Sequence, residues 1–192
     1  MPDKRERLRA LKEEIEREFP LVWFFEDHSG VVDGYWGTES VMFVGERPSL
    51  GGVVKGRRKA GAEANSDKML KRFFARLKTY GFEHAHVTDV VKESGKGGAP
   101  LSGEQVDDRN WGYFCEEMSI VQPEVIVALG GRVFHILRRR LERPDRLRLR
   151  KFCHYAYRWR PAAEREEIFN KEFEGLRMDL ATRGLTLRSS PD

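Results

Sequence analysis

Short apolar segments alternate with helical segments along this chain, and the alternation constrains the fold more than any other feature. The apolar segments are residues 40–45 (SVMFVG), 85–91 (AHVTDVV), 123–130 (PEVIVALG) and 149–155 (LRKFCHY). Their β-branched and aromatic content is typical of buried strands. Strands that alternate with helices form parallel sheets through right-handed crossovers. We therefore predict an α/β fold: a three-layer α/β/α sandwich with a central, mostly parallel four-stranded sheet.

Apolar residues at helical spacing indicate helices between and beyond these strands. We predict helices at residues 4–18, 66–80, 103–121, 132–141 and 164–183, with Ser102 as the N-cap of the third. A chain of 192 residues fits a single domain. Within that domain, we expect residues 1–39 to form an N-terminal helical or lid extension and residues 186–192 to form a flexible tail.

Composition and charge exclude several classes of protein. The hydrophobic fraction of 40% and the charged fraction of 34% are typical of a folded domain rather than a disordered or membrane protein. No apolar segment is long enough to span a bilayer, so we expect no membrane association. Cys115 and Cys153 form no CxxC pair, which predicts neither a disulfide framework nor a cysteine-rich metal site and favours a cytoplasmic location. The net charge of +4 favours an anionic partner.

The carboxyl ends of parallel strands meet at one edge of a sheet, where ligands bind. Four segments would share this edge, namely residues 45–49 (GERPS), 88–92 (TDVVK), 130–132 (GGR) and 154–160 (HYAYRWR). The last of these segments, residues 154–160, combines a histidine, aromatic rings and arginines. Neither a packed core nor a solvated surface requires this combination. His84 and His86 could share a face as metal ligands, but no third ligand stands at a diagnostic spacing. We therefore predict a functional site at this edge, without a metal or cofactor.

In this order, the segments resemble the motifs of the uracil-DNA glycosylase superfamily, and the pattern is most similar to the thermostable family 4 enzymes. That family has a GEAPG-like motif after its first strand, a TNVVK-like strand, a RPKVIVALG strand and a late HPSYLLR-like motif. The resemblance covers roughly residues 40–180. The matching residues are Gly45, Glu46 and Pro48; Thr88, Val90, Val91 and Lys92; and His154, Tyr157 and Arg160.

The resemblance implies a monofunctional DNA glycosylase of base excision repair, which flips a damaged or deaminated base and hydrolyses its N-glycosidic bond. By the family pattern, Glu46 would position or deprotonate a water, and His154 would donate to a carbonyl of the leaving base. Both side chains would have to converge on one cleft that is wide enough for an extruded base. The implied base pocket consists of Gly45, Arg47, Pro48 and Ser49.

The chain departs from the family pattern at informative positions. Glu93 stands where the family has a cysteine of its iron–sulfur cluster, so we expect no cluster. Arg47 replaces a small residue, and Tyr155 replaces a proline. Asp89 replaces the asparagine that reads the uracil edge, and an ionised aspartate can only accept hydrogen bonds. We therefore expect a substrate other than uracil alone, such as a base with an exocyclic amine, hypoxanthine or xanthine, unless Asp89 is protonated or activates the catalytic water.

DNA is the implied partner, bound by a monomer. The basic residues Lys55, Arg57, Arg58 and Lys59 would contact phosphates, and Tyr157, Arg158, Trp159 and Arg160 would contact the duplex, with Arg158 wedged into the gap left by the flipped base. Three alternatives stay open. The late aromatic residues could pack under the last helix, the protein could bind nucleic acid without catalysis, or it could be a Rossmann-like enzyme that acts on free nucleotides.

Overall fold

A computed structural model describes residues 2–19, 22–27, 29–47, 68–93, 106–155 and 161–185. Four strands form one sheet in the order β2-β1-β3-β4, and every neighbouring pair is parallel. The strands are β1 (Val41–Gly45), β2 (His86–Asp89), β3 (Val125–Leu129) and β4 (Leu149–Phe152). The predicted central sheet is therefore confirmed.

Six α-helices and a short 3₁₀ turn at Gly34–Trp36 make up the rest of the described structure. The helices are α1 (Lys4–Glu18), α2 (Lys68–Thr79), α3 (Asp108–Val121), α4 (Gly131–Arg140), α5 (Arg143–Leu147) and α6 (Ala162–Thr182). None of the helices within the described ranges combines the length and the apolar character needed to cross a bilayer.

Alternate residues of each strand pack on opposite faces of the sheet. Phe43 and Val127 belong to a core cluster shared with α2 and α6, whereas Met42 and Ile126 belong to a second cluster shared with α3 and α4. This period of two follows from the pleat of a strand. Helices thus cover both faces, which confirms the three-layer α/β/α sandwich. Outside α3, α1 packs through a third cluster that includes the fully buried Leu8 and Ile15.

The bounds of several elements differ from the sequence prediction. The helix expected from residue 103 begins at Asp108, because the Asp107 carboxylate accepts a hydrogen bond from the Asn110 N–H at 2.7 Å and caps it. Ser102, the predicted cap, lies outside the described residues. The last strand ends at Phe152 rather than at residue 155, because the next N–H, of Cys153, donates to the Glu172 carboxylate at 2.9 Å instead of to a strand. The short helix α5 was not expected.

The strand order places a switch point at the carboxyl edge of the sheet. From β1 the chain crosses to β2 on one side, and from β3 it crosses to β4 on the other. Connections that leave neighbouring strands in opposite directions open a space above the ends of those strands, and ligands of α/β proteins bind there. Gly45 and Glu46 lie on one side of this switch point, and Gly130–Arg132 lie on the other.

Candidate functional site

Gly45 and Asp89 end neighbouring strands in register and form the floor of the site. A Cβ placed on Gly45 would lie 2.1 Å from Oδ1 of Asp89 and 3.7 Å from the Phe25 ring. The carboxyl of Asp89 therefore rests directly over the glycine backbone. Any larger residue at position 45 would displace that carboxyl, so the space above Gly45 is what admits it.

Asp89 is buried at the end of its strand. The residue is only 6% exposed, and its backbone carbonyl accepts a hydrogen bond from the Lys92 ammonium. Burial raises the pKa of Asp89 to about 8, the Lys92 ammonium opposes the shift, and the Glu117 and Glu46 carboxylates add to it. At neutral pH this side chain is therefore mainly an uncharged carboxylic acid.

A buried ion pair lies behind Asp89. The Lys92 ammonium donates to Oε2 of Glu117 at 2.6 Å, to the Thr88 hydroxyl at 2.8 Å and to the backbone carbonyl of Asp89 at 2.5 Å. The Thr88 hydroxyl in turn donates to Glu117 at 2.9 Å. Burial raises the pKa of Glu117, but the Lys92 ammonium and the His86 ring together outweigh it and hold that pKa below its ordinary value. The three donors of the lysine are thus all engaged away from the Asp89 carboxyl.

The two histidines that were considered as metal ligands lie in different surroundings. Nδ1 of His84 is 3.0 Å from the Asp33 carboxylate. His86 is fully buried, with Nε2 at 3.9 Å from Glu117 and its ring centroid at 5.1 Å from that of Tyr35. Across the part of the chain that the structure describes, no three His, Cys, Asp or Glu residues are grouped so that they could hold a metal ion.

Glu46 is half-buried and forms an ion pair across the switch point. Nη1 of Arg132 donates to both carboxylate oxygens of Glu46, at 3.0 and 3.2 Å. Arg132 stands in the first turn of α4, directly after β3. The pair orients the Glu46 carboxylate beside Asp89.

His154 lies two residues beyond β4 and contacts the start of α4. Its Cβ and Cδ2 lie 3.5 and 3.8 Å from the position that a Cβ on Gly130 would occupy. The imidazole stacks on Tyr155 with centroids 4.5 Å apart, and Tyr155 stacks on Phe73 of α2 at 5.2 Å. Tyr155 therefore packs against α2, not under the last helix as one alternative had it for the late aromatic residues, and it supports the imidazole from behind.

Five of the expected site residues fall within the described ranges, and all five lie at the carboxyl edge. Glu46 bonds to Arg132 in the first turn of α4, His154 lies beside its N-cap Gly130, and Asp89 lies over Gly45 beside Glu46. Arg47 follows Glu46 and is half-buried.

One cavity among the described residues lies elsewhere than the expected cleft between Glu46 and His154. That cavity, of about 620 Å³, lies at the opposite edge of the sheet and is lined by residues such as Trp111, Cys115 and Arg140. None of the residues expected in the site lines it. Ten further residues of the expected site fall outside the described ranges: Pro48, Ser49, Lys55, Arg57, Arg58, Lys59, Tyr157, Arg158, Trp159 and Arg160.

No role was predicted from the sequence for Arg132, Glu117 or Lys92, although Lys92 matches the family motif. Arg132 belongs to the GGR segment that was placed at this edge, so its position was expected but its partner was not. Glu117 falls three residues after Phe114 and three before Ile120, on the apolar face of α3. A carboxylate at a core position of a helix is a signal for a buried partner.

No family model matches this sequence. Comparison with curated proteins gives no match either. The geometry of the carboxyl edge and the motif resemblance are therefore the observations that bear on function.

Proposed function

We propose that this protein is a DNA glycosylase that flips a damaged or deaminated base out of DNA and hydrolyses its N-glycosidic bond in base excision repair. One observation carries the proposal. A carboxylate, Glu46, bonds to the Arg132 guanidinium from the first turn of α4, an imidazole, His154, lies beside the N-cap Gly130 of the same helix, and the carboxyl of Asp89 lies over Gly45 next to Glu46.

These groups match the charges that develop when a glycosidic bond breaks. The oxygen of water bonds to the anomeric carbon, the bond from that carbon to the base nitrogen breaks, and the electron pair leaves with the base. The sugar passes through a state that resembles an oxocarbenium cation. Glu46 stabilises that cation and accepts a proton from the water, and the base finally receives this proton. His154 donates an N–H to the carbonyl oxygen on which negative charge develops.

The substrate must leave the base stack before this chemistry, because the anomeric carbon is inaccessible inside a duplex. The basic residues between β1 and α2 would hold the phosphates, and the arginines and aromatic residues between β4 and α6 would fill the gap. We propose that the enzyme works as a monomer in the cytoplasm, where the thiols of Cys115 and Cys153, both unpaired, stay reduced.

The second candidate is a nucleic-acid-binding relative without catalysis. The Arg132 contact to both oxygens of Glu46 favours it, because an ion pair of this kind opposes the movement of the carboxylate toward a water. This candidate retains DNA binding and predicts that no base is released.

Release of free base from defined oligonucleotides tests the proposal. Single- and double-stranded oligonucleotides with one uracil, hypoxanthine or xanthine are incubated with the protein, and abasic sites are detected by alkaline cleavage. We expect release from at least one substrate, and a loss of at least about 100-fold in Glu46→Ala and in His154→Ala. Glu174→Ala and His135→Ala are matched controls, because Glu174 is exposed on α6 and His135 is exposed in the second turn of α4, and they should retain activity.

The same assay separates the two candidates. A mobility shift of the DNA without base release from any oligonucleotide would support the binding protein and contradict the glycosylase. Loss of activity in the control variants as well would show that the effect is not specific to the site.

Salt dependence tests the DNA contacts separately. If Lys55, Arg57, Arg58 and Lys59 each neutralise one phosphate, the affinity for duplex DNA should fall with salt with a log–log slope of about −4, and Lys55→Ala should reduce the slope by about one. Binding that does not change with salt would contradict this role.

A further inference from the structure

We propose that the amino edge of the sheet, where β3 and β4 begin, is a docking surface for an acidic segment of a partner protein. One apolar side chain of that segment enters the cavity at this edge, and its carboxylates contact the arginines around the cavity. The surface lies at the edge opposite to the candidate site, so the inference does not depend on the proposed function.

The cavity is the first support. It lies between α3, the turn before β3 and the segment that connects α4 to β4, and its volume is about 620 Å³. The apolar part of its lining comes from Trp111, Met118, Pro123 and Leu141. A cavity of this size and lining is in the range that binds small molecules or the side chains of a partner.

Contacts between the surrounding elements hold the cavity open in the free protein. The Arg140 guanidinium lies over the Trp111 ring, with Cζ 5.0 Å from the ring centroid, and donates to the Asp108 carboxylate at 2.8 Å. On the other side, the Arg148 guanidinium donates to the backbone carbonyl of Pro123 at 3.3 Å. These contacts join the ends of α4 and α5 to α3 and to the start of β3. A ligand therefore meets a preformed cavity, which lowers the entropic cost of binding.

The charge around the cavity is the second support. Residues 138–151 include eight basic and two acidic residues, so this segment carries more positive charge than the whole chain, whose net charge is +4. Four of its arginines are exposed and form no ion pair within the described ranges, namely Arg138, Arg139, Arg143 and Arg146. They lie within a few residues of the cavity lining. Uncompensated charge of one sign attracts a partner of the opposite sign.

The lining of the cavity separates the two parts of the ligand. Besides the apolar residues, the carboxylates of Glu124, Glu142 and Asp145 lie at the cavity. An anionic group inside the cavity would meet these like charges, whereas an uncharged side chain would not. The anionic groups of the ligand therefore stay outside, against the exposed arginines, while an apolar group fills the cavity.

This arrangement favours a protein segment over a nucleic acid. Bases bind single aromatic side chains by stacking on an open ring face. The half-buried Trp111 ring already packs on Phe114, with centroids 5.2 Å apart, and on the Arg140 guanidinium, so it is a wall of the cavity. An apolar side chain in a central pocket with charged contacts at the rim is, in contrast, the usual anatomy of a protein–protein interface.

Binding of synthetic peptides to the full chain tests the inference. The probes are fluorescein-labelled acidic peptides that each carry one central leucine, phenylalanine or tryptophan, matched peptides with serine at that position, and an oligothymidylate of the same length. Affinities are measured by fluorescence anisotropy at physiological ionic strength. This comparison on the wild type requires no variant, so it does not depend on how substitutions affect folding.

Two variants and two matched controls then locate the binding surface. Arg143→Glu/Arg146→Glu reverses charge at exposed positions of α5, and Ser119→Phe fills the cavity from an exposed position of α3. Arg177→Glu and Asn170→Phe make the same kinds of change at exposed positions of α6, away from the cavity. Urea unfolding of each variant shows whether it is folded.

We expect at least one peptide with an apolar residue to bind about tenfold or more tightly than its serine counterpart, because the cavity buries that side chain. The charge reversal should weaken this binding by about tenfold or more, and Ser119→Phe should reduce it to the level of the serine peptide. Both control variants should bind as the wild type does.

Three results would overturn the inference. The first is that no peptide binds, and the second is that apolar and serine peptides bind equally, which would indicate nonspecific attraction of charge. The third is tighter binding of the oligothymidylate than of every peptide, lost on charge reversal at Arg143 and Arg146, which would assign the surface to nucleic acid instead.

Discussion

Replacing Lys92 by methionine should destabilise the protein strongly, and the effect should depend on pH. Lys92 is 2% exposed and Glu117 is fully buried, so Lys92→Met leaves a carboxylate in the core without its counter-ion. Methionine keeps the length and the apolar stem of lysine, so loss of packing contributes little. Removing one partner of a buried pair costs about 3–5 kcal/mol.

The expected size follows from what Glu117 can do when the Lys92 ammonium is gone, although the Thr88 hydroxyl still donates to it. An unpaired buried carboxylate takes up a proton, and at pH 7 this costs about 3 kcal/mol for a group whose ordinary pKa is 4.5. The protonation cost falls to below about 1 kcal/mol at pH 5. We therefore expect the free energy of unfolding to drop by about 3–4 kcal/mol at pH 7 and by clearly less at pH 5.

Urea unfolding followed by tryptophan fluorescence measures these free energies at both pH values. The double variant Lys92→Met/Glu117→Gln also removes the buried Glu117 carboxylate that lacks a counter-ion, so at pH 7 it should be about 2 kcal/mol more stable than Lys92→Met alone. Lys71→Met, at an exposed position of α2, is the matched control and should change stability by less than about 0.5 kcal/mol. A loss below about 1 kcal/mol in Lys92→Met, or additive effects in the double variant, would refute the reasoning.

Three further changes can be measured by the same unfolding assay. Gly45→Ala should lower the free energy of unfolding by about 1–3 kcal/mol, because its Cβ would overlap the Asp89 carboxyl. Gly175→Ala, in an exposed part of α6 with no atom near the new methyl group, should raise the free energy of unfolding by up to about 1 kcal/mol. Changes of the same sign in the two variants would contradict this. Asp89 has a folded-state pKa of about 8 against an ordinary 3.8, so its contribution to stability is complete below pH 3.8 and is lost as the pH rises to about 8. As the pH rises from 3.8 to about 8, the free energy of unfolding of Asp89→Asn should therefore increase by a few kcal/mol relative to that of the wild type. A difference between the two proteins that does not change with pH would disprove the raised pKa of Asp89. Asp3→Ala removes the capping box that Asp3 forms with Glu6 in α1 and should cost about 1 kcal/mol, so an unchanged midpoint would count against the cap.

The strands and most helices could be predicted because their patterns are local. Apolar runs that end at glycine marked β1 and β3, and the helical spacing of Leu8, Leu11 and Ile15 gave the bounds of α1. The carboxyl edge followed from the alternation of strands and helices. The start of α3 was missed because both Ser102 and Asp107 are acceptable N-caps, and sequence alone does not decide between them.

The contacts inside the site depend on strand order, which the pattern does not contain. Glu46 and Arg132 are 86 residues apart and meet because β1 lies next to β3. Lys92 follows a strand, where a lysine is usually solvated, and its burial depends on the inward position of Glu117. The buried carboxyl of Asp89 likewise follows from the pairing of its strand with Gly45.

The column of rings from His154 through Tyr155 to Phe73 links the imidazole to the opposite helical layer. A change in the volume of Phe73 would shift the histidine without touching the segments to which the proposal assigns DNA contacts. If the proposed glycosylase activity is present, a collection of inactive variants selected at random should include substitutions on α2 that retain nucleic-acid affinity and lose turnover.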